Sequence, residues 1–498
     1  MTRTLSAPRS VPRMRRLCLT TAVVTTLLLG CPSVAGAAGV NVASSGILQP
    51  AFDRSAANYA TTCVGGRIQL KIKGSQSLST KIDSRKTTKG SVTTSISLKA
   101  GRRAILRLTD SAGTTTHSIR CMPSDFPKLS STGLLPASIP LLAIDDISGR
   151  SRYGGAPNSY GIIVDRHGAP IWWRREGSSL VNFFATTDGH LALGHSGGAL
   201  EIRTLRGTLT ESIRPANADT DAHEAIPTAR GTWFMAVHSR RAAVDLTPIG
   251  MTASESVLDS TIVEVDASGK VLWSWNSADH IATRETLLSQ ITPATATSSR
   301  VVDLTHVNSF EEDEHGGLIA SFRETGAVYR IRLSDGSIDW KLGGTTTPQS
   351  LSVLGDPGIG EERHLLGQHD ARLLPDGTLS IFDNGSILFT NGFRESRAAR
   401  ALRLSIDPVG RTATVVESLR DLSIGSSACC GSARLMPDAS WLVAWGATPY
   451  IRSYNSGGTS VFSLRFVNAT RFTYRATPIL SPTITEAAVV AGMDALVK

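Results

Sequence analysis

The sequence predicts an all-β protein, a six-bladed β-propeller preceded by a small β-sandwich. Three observations predict it. From about residue 135 the chain repeats one device: an alternating apolar arm, a turn rich in Asp, Gly and Pro, and a second alternating arm. Before that, Cys63 and Cys121 bracket a segment rich in Thr, Ser, Lys, Val and Ile with the same strand-like period of two. The composition, 45 glycines with 6% aromatic and 19% charged residues, suits many short strands joined by turns. Apart from residues 284–290, no run reads as an amphipathic helix.

Residues 1–37 read as an export signal. Arg3, Arg9, Arg13, Arg15 and Arg16 precede the apolar run 17–30, which is short for a membrane span. Ala35-Gly36-Ala37 offers a small-residue cleavage site, and Leu28-Leu29-Gly30-Cys31 resembles a lipoprotein box with Cys31 as the lipid anchor. Those five arginines have no acid among them, so the net charge of +9 falls to +4 once they leave. No basic block with interleaved aromatics remains, and a nucleic-acid partner is discounted.

Cys18 leaves with the signal, and four cysteines remain beyond Cys31. Residues 40–125 are expected to form the small β-sandwich, closed by a Cys63–Cys121 disulfide in an oxidising compartment. The linker Met122-Pro123-Ser124-Asp125-Phe126-Pro127 follows it. Cys429 and Cys430 are adjacent, and both a vicinal disulfide and two free buried thiols stay open.

Residues 135–480 carry the propeller, and 481–498 a C-terminal tail. Each inner hairpin runs from a polar rim residue through a turn to a second rim residue. Asn182 turns at Asp188-Gly189 and returns at His195; His223 turns at Arg230-Gly231 and returns at His238. His306 turns near Glu314 and returns at Arg323; His369 turns at Asp376-Gly377 and returns at Asp383; Cys430 turns at Pro437-Asp438 and returns at Trp445. Outer hairpins such as Thr261 to Trp273 and Val328 to Trp340 supply two more strands per blade. The blades fall near 138–176, 181–215, 223–276, 306–342, 369–418 and 430–475. The first lacks inner strands, so the C-terminal strand is expected to close the ring.

The innermost strand of each blade lines the channel, so the repeat places His223, His306, His369 and Cys430 around one rim. His306 and Asn308 are two apart, and strand alternation would point them the same way. Arg323 returns to the level of His306, and Asp383 to that of His369. Three histidines could bind zinc, but a guanidinium beside a cation is unfavourable, and Arg323 argues for an oxyanion pocket instead. A neutral imidazole can attack an oxyanion ester and carry the transferred group. Arg, Asn and His donors can hold its oxygens, and a further imidazole can move the phenol proton. The constellation suits sulfuryl or phosphoryl transfer.

Thr305-His306-Val307-Asn308-Ser309, Ser321-Phe322-Arg323 and Trp340-Lys341-Leu342-Gly343-Gly344 resemble the arylsulfotransferase family. So do Gln368-His369-Asp370-Ala371-Arg372, Phe382-Asp383-Asn384-Gly385, Cys430-Gly431-Ser432-Ala433-Arg434 and Trp445-Gly446. The resemblance implies an exported six-bladed propeller that moves sulfate from an aryl sulfate to a phenol. It implies a ping-pong route through a sulfohistidine, with neither nucleotide donor nor cofactor. It makes His369 the sulfate acceptor, His306, Asn308 and Arg323 the groups on the sulfate oxygens, and His223 the proton-transfer histidine. The Cys429-Cys430 pair and Glu324, directly after the arginine, depart from that pattern.

Two other readings compete. A non-catalytic binding propeller needs only the rim. Vicinal cysteines on a propeller are also similar to those of quinone-dependent dehydrogenases, although the tryptophan-docking repeat of that class is absent. Ser334-Asp335-Gly336-Ser337-Ile338-Asp339-Trp340 is similar to a sialidase turn box, but no arginine triad or tyrosine nucleophile accompanies it.

Overall fold

Among the described residues six blades, each built on four antiparallel strands, follow one another around a ring, and the third, fifth and sixth carry extra strands. The structure, a computed structural model, describes residues 39–148, 159–177, 180–287, 291–292, 301–356, 364–388 and 394–497. The export signal 1–37, with Cys31, lies outside them, as do residues 288–290 of the expected 284–290 helix. What is described there is a single 3-10 turn, Thr283–Glu285.

Blade 2 is Leu180–Ala185, Leu191–His195, Leu200–Arg203 and Leu209–Ile213. The innermost strands of blades 3 to 6 are Asp219–Pro227, Val307–Glu312, His369–Leu373 and Ser432–Leu435. Blade 1 takes its innermost strand, Ala476–Ile479, from the far end of the chain; it pairs antiparallel with Leu141–Asp145. Leu129–Gly133 in turn adds a fifth strand to the outside of blade 6. Consecutive innermost strands lie against one another, and the last lies against the first, so the ring is closed from both ends. Closure leaves the inner edges facing one another around the channel rather than open to a second chain.

The period-two arms pack blade on blade. Phe234, Phe310, Phe322 and Tyr329 fill the layer between blades 3 and 4. Burying each such ring stabilises by about 1.5–3 kcal/mol. Where the sandwich is expected, the three-stranded sheet Asn41–Ser44, Arg67–Lys73 and Val92–Ser97 shares one apolar cluster with a five-stranded sheet. In Arg67–Lys73 every second residue is buried, which places Ile68, Leu70 and Ile72 in that cluster. Cys63 and Cys121 are disulfide-bonded, with their Cα atoms 5.6 Å apart.

Residues 481–498 include an α-helix, Glu486–Leu496, whose Thr485 hydroxyl accepts from the Ala488 N–H at 3.2 Å. Its sequence, Glu-Ala-Ala-Val-Val-Ala-Gly-Met-Asp-Ala-Leu, is apolar nearly all round, so no amphipathic stripe marks it. Val489 and Met493 enter the core of blade 1. Asp494 pairs with Arg120 at 2.9 Å and with Arg103 at 2.7 Å, and Glu486 accepts from Asn58 at 2.7 Å. The helix thus ties the N-terminal sheets to the propeller.

Candidate active site

At one end of the channel the innermost strands start irregularly. Register shifts fall between Asp221 and Ala225, between Val307 and Ser309, and between His369 and Arg372. Bulges re-aim side chains, and here they coincide with the candidate site residues. His306, Asp370 and Cys430 also sit at positive φ, +54°, +56° and +63°. Each such non-glycine residue costs on the order of 1 kcal/mol or more, a strain that concentrates at functional sites.

His369 is 2% exposed and bonded at both ring nitrogens. Its Nδ1 donates to the Gly367 carbonyl at 2.9 Å and to Asn384 Oδ1 at 2.8 Å, and its Nε2 accepts from the Cys430 N–H at 3.1 Å. Gly367 has φ +64°, and a Cβ there would lie 2.5 Å from the Ser386 carbonyl, so only glycine presents that acceptor. Burial pushes the His369 imidazole well below its ordinary value, and the charges of Arg323 and His306 push the same way. His369 is therefore a neutral imidazole with its Nε2 lone pair in place.

The other two histidines have carboxylates behind them. His306 Nδ1 donates to Asp303 at 2.6 Å, and His223 Nδ1 donates to Asp221. Burial opposes charge on His306, but Asp303 outweighs it and the pKa rises. Asp221 also meets His238 at 3.3 Å; burial works against the charged ring, yet Asp221 raises His238 to about 9. The His223 and His306 rings meet edge to face at 4.7 Å. Tyr474 lies 5.4 Å from His223 and 6.3 Å from His369, ring to ring, and its hydroxyl donates to the Asn308 carbonyl at 3.2 Å. The structure thus brings His223 and His369 to Tyr474, and His306 to His223.

Asn308 is fully buried beside them, but the bulge breaks the alternation that would aim it with His306. Its Nδ2 donates to the Gln368 carbonyl at 2.7 Å, and its Oδ1 has no hydrogen-bond partner among the described residues. Arg323 is 4% exposed; it donates to Glu324 through Nη1 and to the Ala428 carbonyl through Nη2 at 2.8 Å. Its backbone N–H donates to the His306 carbonyl at 2.9 Å, which locks the two ends of that hairpin together. Cys429 and Cys430 are joined as a vicinal disulfide, the first of the two states left open by the sequence. Asp383 does not face His369. It accepts from Arg400 at 2.9 Å and from Arg397 at 2.6 Å, and the next residue, Asn384, reaches the imidazole.

Sequence reasoning missed Asn384 as a contact, and missed Tyr474 altogether. The Phe382-Asp383-Asn384-Gly385 stretch held the signal for the first. Tyr474 precedes a strand that belongs to no hairpin of its own blade.

A family model described as Arylsulfotransferase (ASST) matches residues 188–467, more than half of the chain and all of the histidine rim. The chain belongs to the arylsulfotransferase family. Membership carries an arylsulfotransferase-type function at the family level, with small-molecule aryl sulfates and phenols as the substrate classes. No curated protein matches. Among solved structures, a protein of unknown function from Bacteroides caccae is similar at 12% identity and a TM-score of 0.41, covering 69% of this chain and 99% of that one. The β-propeller domain of Myceliophteria thermophila Cps50 (Swd1) is similar at 10% identity and a TM-score of 0.36, covering 70% and 98%.

Proposed function

We propose that this arylsulfotransferase moves a sulfuryl group from an aryl sulfate to a phenol in two half-reactions, with His369 as the covalent carrier. The observation that carries the reading is the state of His369: buried, neutral, with a proton on Nδ1 and a lone pair on Nε2. In the first half-reaction the Nε2 lone pair forms the N–S bond while the S–O(aryl) bond breaks. The bonding pair leaves on the phenolate oxygen, which takes a proton from His223. In the second, an acceptor phenol gives its proton back to His223 and its oxygen attacks sulfur. The N–S pair then returns to Nε2. Splitting one transfer into two in-line steps is what a nucleophilic side chain provides.

The donor sulfur must take the place of the Cys430 N–H at Nε2. His306, carrying a proton held by Asp303, and Arg323 supply positive donors to the sulfuryl oxygens. Asn308 joins them by releasing the Gln368 carbonyl. The carboxylate of Glu324 offsets part of the charge on Arg323, so His306 carries more of the load than its position alone suggests. The two disulfides support work outside the reducing cytoplasm. Export through residues 1–37, with cleavage after Ala37 or lipidation at Cys31, completes the proposal.

The test is a chromogenic aryl sulfate with a phenol acceptor. Wild-type protein should release the chromogenic phenol, and His369→Asn should release none while keeping its circular-dichroism spectrum. Turnover by His369→Asn at the wild-type rate would remove His369 from the mechanism. No turnover with any donor would favour a binding propeller.

A further inference from the structure

Three imidazoles share the channel mouth, and each has its Nδ1 held from behind. For His223 the group is the Asp221 carboxylate, and for His306 it is the Asp303 carboxylate. For His369 it is an amide, Asn384, at 2.8 Å. A carboxylate behind an imidazole stabilises its cation; an amide oxygen orients the ring without adding charge. Only the uncharged ring keeps a lone pair for attack on sulfur.

The orientation of Asn384 follows from the backbone. Its Nδ2 donates to the Cys430 carbonyl at 2.9 Å and to Ser427 Oγ at 3.2 Å, so its oxygen must face His369. The hydrogen bonds then close a loop: His369 Nδ1–H to Asn384, Asn384 Nδ2–H to the Cys430 carbonyl, and the Cys430 N–H to His369 Nε2. Two of the three links involve main-chain groups whose polarity is fixed. Asn384 is fully buried, so each link is made away from water. Neither a carboxylate nor an aliphatic side chain can close this loop, since neither donates to the Cys430 carbonyl.

We propose that Asn384 is the positioning residue that keeps His369 as the neutral, Nδ1-protonated tautomer with Nε2 presented to the donor. The inference rests on His369 being the carrier, and it deepens that reading by assigning what prepares it. The charged and titratable groups that face His369 are Arg323 and His306 of blade 4, His223 of blade 3, and Tyr474 beside blade 1. Arg323 and the two histidines work against a charge on His369. A carboxylate at position 384 would oppose them from inside hydrogen-bond distance.

The experiment is nitrogen-15 NMR on histidine-labelled full-length protein, with His369→Asn used to assign the signal. In wild type, the His369 resonances should report Nδ1–H and an unprotonated Nε2 throughout the pH range in which an ordinary imidazole titrates. In Asn384→Asp the titration should move up by about 1–3 units, the usual effect of an adjacent opposite charge. In Asn384→Gln, which keeps the amide but displaces it, the ring should stay neutral. Any turnover by Asn384→Gln should fall about 10²-fold, the scale of a small misplacement of a reacting group. If aryl sulfate is turned over, Asn384→Asp should regain rate as pH rises through its new titration, a profile that a merely structural loss would not show.

An Nε2–H tautomer in wild type would overturn the proposal. So would an unmoved His369 titration in folded Asn384→Asp. Should both Asp and Gln variants fail to fold, the wild-type tautomer still decides. The NMR arm needs no turnover. A protein with the expected tautomer and shift that never transfers sulfate would refute the sulfotransferase reading and leave the role of Asn384 standing.

Discussion

At the mouth of the channel the inner strands present imidazoles; a few residues further along, the same strands present carboxylates and guanidiniums. His223 is followed by Glu224, His369 by Asp370 and Arg372, Cys430 by Arg434, and Tyr474 by Arg475. In this deeper layer Arg372 donates to Glu224 and, at 2.9 Å, to Asp370. Arg434 meets Asp370 at 2.7 Å, and Arg475 meets Glu224 at 3.0 Å. Burial resists the charge on Asp370, but Arg434, Arg372 and Arg475 hold its carboxyl below the usual range. The deeper layer matches charge with charge across four blades. The mouth pairs its donors with carboxylates too, Arg323 with Glu324, His306 with Asp303 and His223 with Asp221; what sets it apart is His369, whose Nδ1 partners are uncharged.

That difference predicts different failures. The largest is expected below. Glu224→Ala leaves Arg372 and Arg475 short of a buried partner and should destabilise the fold by about 3–5 kcal/mol, read from denaturant midpoints. Its activity should fall only as far as the folded fraction falls. Next comes Arg323→Ala at the mouth, expected to slow transfer by about 10²–10³ when one donor to the developing charge is lost. Steady-state kinetics should place most of that in the kcat of the folded protein, and the denaturant midpoint should fall as well, because Arg323 is a partner of the fully buried Glu324. An unchanged kcat in folded Arg323→Ala, or a large kcat loss in fully folded Glu224→Ala, would erase the distinction between the two layers.

The ring and its rim were legible because a hairpin must close at its midpoint, so each turn signal fixed both of its ends. That logic carried His223, His306, His369 and Arg323 to one mouth. It stopped where the chain leaves regular pairing. His369 is paired with Phe382, and beyond that pair alternation no longer decides which of Asp383 and Asn384 turns inward. Arg397 and Arg400, on the next segment of the blade, draw Asp383 away. Asn308 sits in a bulge, where strand alternation gives no direction either. Tyr474 and Arg475 reach the channel from the strand that closes the ring, so no internal repeat announces them. The C-terminal helix was hidden by its uniform apolarity, which only its position between the N-terminal sheets and blade 1 explains.

The central claim is that His369, held at Nδ1 by uncharged acceptors where His223 and His306 are held by carboxylates, is kept neutral in order to carry the group. Intact-protein mass spectrometry tests it most directly, after incubation with an aryl sulfate and no acceptor at neutral or basic pH. Wild-type protein should gain one sulfuryl group, about 80 Da, mapped by peptide fragmentation to His369 and lost on adding phenol. His369→Asn should gain nothing. A wild-type enzyme that turns over without any such adduct, or an adduct on His223 or His306 instead, would contradict the account.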